Sequence, residues 1–361
     1  MPGIWFCSLW FLILGRPAAD TSLAGAAVAS LRFHEIQLRH NDYAVAPEPK
    51  LLQTSGFSKV ILRVFSDDEK HGGLYFLNSV FKTVRPVLES WIPQFVDGKL
   101  GLWAWMGSRY FSWLKNSQLL DVELRNGQRR VIPKLDLFNP DAEALIVALF
   151  RELARKPIQG ILIQDDLTLR RHEGFSNWGK AYFSRSTGLP ADERQMAQAG
   201  SAQGLAWARC KCERIAQLVE KIVQACKAVN PQIKIAMNIH YEIALAPDQA
   251  RSWYSHDLSA LSASSLDYLY LMAYHRQMQG ELGLNESASR IQFAKMTAAA
   301  LASFGPRLVV KLQVRDWRTS ALIPLDELRS YYDLIPAGVG RVCFAAVDPE
   351  DIALVSQIFN R

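Results

Sequence analysis

The chain is predicted to fold as an α/β protein, a (β/α)8 TIM-type barrel, on three observations. Eight short segments rich in Val, Ile and Leu recur along its 361 residues. Between them fall stretches with the three-and-four apolar spacing of amphipathic helices. Neither a GxGxxG nor a GxxxxGK[ST] phosphate loop occurs, which favours a closed barrel over an open nucleotide-binding sheet. Apolar strands alternating with helices pair in parallel and are covered on both faces. Such a barrel takes ~250 residues, so one domain with insertions accounts for the length.

The expected strands are 33–39, 59–65, 100–106, 160–165, 234–239, 268–274, 308–314 and 342–347. Helices are expected over 76–95, 142–155, 206–229, 248–263, 287–304 and 325–334. Asn139-Pro140-Asp141 is a helix start with Pro at the first helical position. Asn230-Pro231 ends the long helix, because the residue before proline is pushed out of the helical region. That helix repeats apolar residues at Ile215, Leu218, Val219, Ile222, Val223 and Cys226. Two excursions, 107–133 after the third strand and 168–203 after the fourth, leave strand C-termini. Both should therefore wall the face where barrels place their chemistry.

The N-terminal residues read as an export signal. Residues 4–14 are apolar, too few for a bilayer-spanning helix of ~20 residues. Small residues follow at Ala24-Gly25-Ala26 and Ala27-Val28-Ala29, as at a cleavage site. The expectation is a signal over 1–29, a single barrel domain over 30–361, no membrane span after cleavage, and a periplasmic or secreted protein. The 41 basic and 35 acidic residues leave a charge of +6. They are scattered without a basic run carrying aromatics, which excludes nucleic acid as the expected partner. Ten tryptophans and 11% aromatic residues exceed what a core alone asks for and suit stacking on sugar rings. No Cys/His spacing resembles a zinc site, so neither metal nor cofactor is expected. Cys210, Cys212, Cys226 and Cys343 are expected as buried thiols.

Candidate site residues cluster at strand ends. His40, Asn41 and Asp42 follow the first strand; Arg63, Asp67 and Asp68 mark the second. Trp103 and Trp105 lie on the third. The fourth ends in paired aspartates, Asp165 and Asp166. Asn238, His240 and Tyr241 end the fifth, Tyr274 and His275 the sixth; Asp316 and Trp317 follow the seventh and Asp348 the eighth. A lone aspartate after a strand is commonly a helix cap, and a lone histidine a satisfied polar residue. Collectively, however, nearly every strand ends in a group able to bond hydroxyls or stack on rings. Two adjoining acids at such a place point to glycoside hydrolysis.

The run Gln164-Asp-Asp-Leu-Thr-Leu-Arg-Arg-His-Glu173 resembles the Asp-Asp segment in the C-terminal hydrolase domain of the PgaB family of poly-β-1,6-N-acetylglucosamine N-deacetylases. So do Leu74-Tyr-Phe-Leu-Asn78, Leu102-Trp-Ala-Trp-Met106, Leu135-Asp-Leu-Phe-Asn-Pro140, residues 253–258 and Lys311-Leu-Gln-Val-Arg-Asp-Trp-Arg318. The likeness covers roughly residues 30–355. It implies a barrel that cleaves partly deacetylated β-1,6-glucosamine polymer, with the paired aspartates carrying hydrolysis, Glu173 in the substrate-binding set and exopolysaccharide export machinery as a partner. The chain departs from the family pattern at Arg171 and Gly174, where acids are usual. It also departs at Met272-Ala-Tyr-His275 and at Ala345-Ala-Val-Asp-Pro349. Its residues include no Thr-Phe-Asp-Asp-Gly strand and no His-x3-His pair of a metal-dependent deacetylase.

Two mechanisms stay open. In the two-carboxylate scheme both acids flank the scissile bond, but adjacent residues of an extended strand point to opposite faces. In the substrate-assisted scheme the sugar's acetamide attacks the anomeric carbon, with Asp165 orienting it and Asp166 as the acid, or the two in the opposite order, and Tyr274 of Met-Ala-Tyr holding it as in chitinase-like barrels. The alternative function is a catalytically idle glycan-binding module in periplasmic polysaccharide export, which would keep the floor of Trp103, Trp105 and Trp317.

Overall fold

The computed structural model describes residues 32–38 and 49–360. The expected signal over 1–29 and His40, Asn41 and Asp42 lie outside the described residues. Eight parallel strands close a barrel: β1 (Phe33–Leu38), β2 (Phe57–Arg63), β3 (Gly101–Met106), β4 (Gly160–Ile163), β5 (Lys234–His240), β6 (Tyr268–Met272), β7 (Leu308–Gln313) and β8 (Arg341–Val347). Each pairs with its sequence neighbours, and β8 closes on β1. The strands are buried along almost their whole length because helices pack outside them, as the continuous apolar runs predicted. Inside, Ile61, Trp103, Leu162, Ala236, Tyr270, Val309 and Cys343 fill the barrel as a packed layer.

The seam between β1 and β8 is irregular. Gln37 pairs with Ala345 but Leu38 with Val347, leaving Ala346 as an extra residue in left-handed backbone at φ 62°. This is a β-bulge, which bends its strand and re-aims neighbouring groups at a barrel rim.

Four helices follow expectation closely: Pro140–Ala154, Ala202–Val229, Glu286–Phe304 and Leu325–Tyr332. Asn139 caps the first, its side chain accepting from the Asp141 amide, with Pro140 at the first helical position. Two expected helices are corrected. The one over 76–95 reduces to Val87–Trp91 and a 3-10 turn; Asn78 accepts from the Val80 and Phe81 amides and closes a turn instead, and Pro86 sets the start. That over 248–263 divides into Pro247–Tyr254 and Leu258–Ala263. Ser255 adopts φ 58°, and Asp257 caps the second piece by accepting from the Ala260 amide.

The excursion after β3 is an antiparallel ribbon, Leu120–Arg125 with Gln128–Leu135. Its turn is Asn126-Gly127, both at positive φ (50° and 75°), the two-residue hairpin turn that Asn-Gly favours. The excursion after β4 carries helices Asn177–Thr187 and Glu193–Ala197. The guanidinium of Arg109, fully buried, fastens the two together. It donates to the carbonyls of Leu135 (2.9 Å) and Thr168 (2.6 Å), to Glu173 (2.5 Å), and to Asp121.

Candidate active site

The C-terminal mouth of the barrel holds a pocket of about 200 Å3 lined by Gln37, Trp105, Gln164, Asp165, Asn238, Tyr274, Lys311 and the Ala345–346 backbone, among others. That volume is below the ~300–1,000 Å3 of sites for drug-sized ligands, a size for one sugar unit. Each side chain arrives because β4 stops at Ile163. Beyond it the chain turns, and the two aspartates part company.

Asp165 lines the pocket. Burial raises its carboxyl above the ordinary aspartate range, against the opposing charges of Lys311, Arg63 and Arg170. Its backbone carbonyl accepts from the ring of His240. Beneath lies Lys311 on β7, whose ammonium donates to the Asn238 side chain at 2.8 Å. Asn238 in turn donates to the Ile163 carbonyl at 3.3 Å, so β4, β5 and β7 are tied under the acid. Burial lowers Lys311 to about 8, opposed by the nearby Cys343 and Asp165. Tyr274 is pushed well above the usual phenol value by burial and by Asp165. Trp105 donates through its indole N–H to Gln164 and forms one wall. The Gln37 amide oxygen is buried without a donor among the described residues.

Asp166 turns the other way, so the two acids do not share one groove. Its oxygens accept from the Ser108 amide (3.0 and 3.1 Å), the Ser108 hydroxyl (2.7 Å), the Arg109 amide (2.7 Å) and the Tyr110 amide (2.7 Å). It anchors the chain leaving β3. Burial raises its pKa while these donors oppose the rise.

Other expected site residues are placed elsewhere. Trp103 is 2% exposed and covered by the Lys59 ammonium at 3.7 Å from its ring; it belongs to the barrel core, because its side chain points into a lower layer. Glu173 is buried between Arg109 and Lys134 (2.6 Å) and fastens the two excursions. Tyr241 is buried with its hydroxyl donating to Glu281 at 2.7 Å. His275, fully buried, stacks on Tyr331 and pairs with Glu327 at 2.8 Å. Asp348 is buried beside Arg315 at 3.0 Å. In each case a neighbouring charge or ring claims the group before a ligand can.

His240 stacks on Tyr254 at 3.9 Å between ring centroids and supports the Asp165 turn from below. Its pKa falls to about 3 through burial and Arg170, so it is neutral. Arg63 stacks on Phe65 and Trp105 and pairs with Asp67 at 2.8 Å. Asp316 accepts from the Arg318 amide at 2.8 Å in a turn on the rim, with Trp317 exposed beside it. The site residues missed from sequence are Lys311, Gln37 and Gln164. A lysine inside an apolar strand was the available signal for the first; no local signal marks the glutamines.

Among the described residues, no three His, Cys, Asp or Glu side chains gather to hold a metal ion. No described helix is long and apolar enough to cross a membrane. The four described cysteines are buried and free.

No curated protein matches the chain. In fold it is similar to the PgaB (BpsB) glycoside hydrolase domain from Bordetella bronchiseptica, with TM-score 0.73 and 21% identity over 91% of this chain and 99% of that one. It is similar also to a β-galactosidase from the psychrophilic Marinomonas ef1, with TM-score 0.65 and 10% identity over 90% of this chain and 59% of that one. A third is the endo-1,4-β-D-mannanase of Thermotoga petrophila, with TM-score 0.54 and 12% identity over 91% of this chain and all (100%) of that one. At these identities the likeness is one of barrel architecture. The model of hypothetical glycosyl hydrolase family 13 matches residues 51–344. That span is most of the chain, so the protein belongs to hypothetical glycosyl hydrolase family 13 and is a glycosidase.

Proposed function

We propose that this glycosidase cleaves an amino-sugar exopolysaccharide such as partly deacetylated poly-β-1,6-N-acetylglucosamine, by substrate-assisted hydrolysis, in the periplasm or outside the cell. The observation that carries this reading is that Asp165 is the single carboxylate among the described residues lining the mouth pocket. The partner acid at position 166 is committed to backbone amides. One protein carboxylate suffices when the substrate supplies the nucleophile.

In the proposed reaction, protonated Asp165 gives its proton to the glycosidic oxygen as the bond to the anomeric carbon breaks. The carbonyl oxygen of the 2-acetamide forms the new bond to that carbon. Water then opens the ring intermediate and returns a proton to Asp165. Burial shifts Asp165 towards the protonated form that the first step uses. Tyr274 supplies a neutral hydroxyl in the same pocket to hold the acetamide. In this reading Asp165 is the acid, and Asp166 holds the chain instead of touching the substrate. Lys311 would repel a glucosamine ammonium, so the unit in the pocket is an N-acetylated one. The Gln37 amide oxygen adds an acceptor for a sugar hydroxyl.

The test is mass spectrometry of products from β-1,6-glucosamine oligomers of graded acetylation. Cleavage is expected only in oligomers with an acetylated unit, and Asp165→Asn should lower turnover by ~10²–10⁴, the contribution of a positioned acid. Full turnover by the variant, or equal cleavage of fully deacetylated oligomers, would overturn the reading.

A further inference from the structure

A second depression of about 540 Å3 lies beside the mouth, lined by Arg125, Asn126, Gly127, Arg171, His172, Arg194 and Gln198, among others. Among the described residues no carboxylate lines it. We propose that it is a binding site for an anionic group on a glycan, a carboxylate or a phosphate. The inference rests on membership of a glycosidase family and not on the acetamide mechanism.

Three observations support it. First, among the described residues the guanidinium groups of Arg171 and Arg194 have no acidic partner. The acids nearby are already claimed: Glu123 by Arg125 (3.0 Å) and Arg130 (2.5 Å), Glu193 by Lys180 (3.0 Å) and Arg129. Charge is therefore in surplus on the cleft wall. A planar guanidinium presents a fork of donors that fits the two oxygens of a carboxylate or phosphate.

Second, the wall is fastened. The Leu124 amide donates to the His172 carbonyl at 2.8 Å, which pins the Arg171 segment to the ribbon. Arg125 donates to the His172 ring at 2.6 Å. Burial and Arg125 lower His172 to about 4, so it accepts that bond as a neutral ring.

Third, the location suits a polymer. Both walls come from the excursions that leave β3 and β4, and Arg171 directly follows Arg170, whose charge acts on Asp165. An adjoining recess of about 260 Å3 shares Arg171 and Gln198 and continues past Trp207 and Lys211. That recess is also lined by Asp248, whose carboxylate is paired with Arg251.

The experiment is calorimetric titration of the full chain with a uronic-acid tetrasaccharide, glucose 6-phosphate, inorganic phosphate and an N-acetylglucosamine tetramer. At least one anionic saccharide is expected to bind more tightly than inorganic phosphate. Arg171→Gln with Arg194→Gln should weaken it at least tenfold, while hydrolysis of short neutral oligomers stays unchanged. Which of the two anionic saccharides binds identifies the group. Failure of both to bind, affinity untouched by the double substitution, or phosphate alone binding as tightly would each overturn the proposal. Because the two arginines are exposed and bond no described residue through their side chains, the variant is expected to fold, and an unchanged melting temperature checks this.

Discussion

The barrel interior holds two charged layers, and they are built to opposite ends. Towards the N-terminal ends of the strands, Glu35 accepts from Lys59 (2.8 Å), Arg341 (3.3 Å) and the Tyr270 hydroxyl. The Lys59 ammonium also lies over Trp103. Every charge there is met, with Glu35 and Lys59 buried. At the mouth, among the described residues, Lys311 has Asn238 as its hydrogen-bond partner and the Asp165 side chain has no donor from another side chain. Both lysines have their pKa lowered by burial. The difference lies in unused bonding capacity. Where it is exhausted the acid holds the fold together; where it is left over the acid is free to act on a substrate.

The largest effect should come from breaking the sealed layer. Glu35→Gln leaves the Lys59 charge buried without its counter-ion and is expected to cost about 3–5 kcal/mol of stability. Denaturant unfolding measures it, and turnover per folded molecule should not change. A loss of turnover without a loss of stability would erase the distinction between the layers.

Asp166→Ala is expected to have a smaller but mixed effect. Removing an acceptor of charge-assisted bonds costs about 2–3 kcal/mol once the loop relaxes. Hydrogen exchange should rise at the amides of Ser108, Arg109 and Tyr110, and KM should rise more than kcat falls. Collapse of kcat with those amides still protected would move the chemistry to position 166.

The smallest effect is on pH dependence. The proposed reaction uses protonated Asp165, so activity should fall as pH rises through the raised carboxyl pKa. Lys311 opposes that rise, and Lys311→Met should therefore move the alkaline limb to higher pH. The same lysine is lowered to about 8 in the folded protein. Between about 8 and the ordinary lysine value the unfolded chain binds more protons, so stability gains with pH there. Lys311→Met should remove that gain. An alkaline limb that stays in place would separate Lys311 from the acid.

The barrel was legible in the sequence because its signal is repeated eight times and each strand is apolar throughout. The Pro140–Ala154 start was legible because its cap is local. The Asn126-Gly127 turn was equally local, and the ribbon it forms went unread because the flanking residues are largely charged. Asp165 could be read as a strand-end acid, but its separation from Asp166 could not. That separation is decided by amides of Ser108 to Tyr110, more than fifty positions away in the chain. Glu173 and His275 were misplaced for the same reason: their partners, Arg109 and Glu327, are joined to them only by folding.

The bulge at Ala346 has a consequence for selectivity. It places a methyl group and bare backbone against the ~200 Å3 mouth pocket. A branched residue there would meet a left-handed backbone that it resists, and its added bulk would occupy the room that a sugar substituent needs. In the proposed reaction position 346 would act as a gatekeeper, where one enlarged side chain should change which monosaccharides are admitted while leaving Asp165 in place.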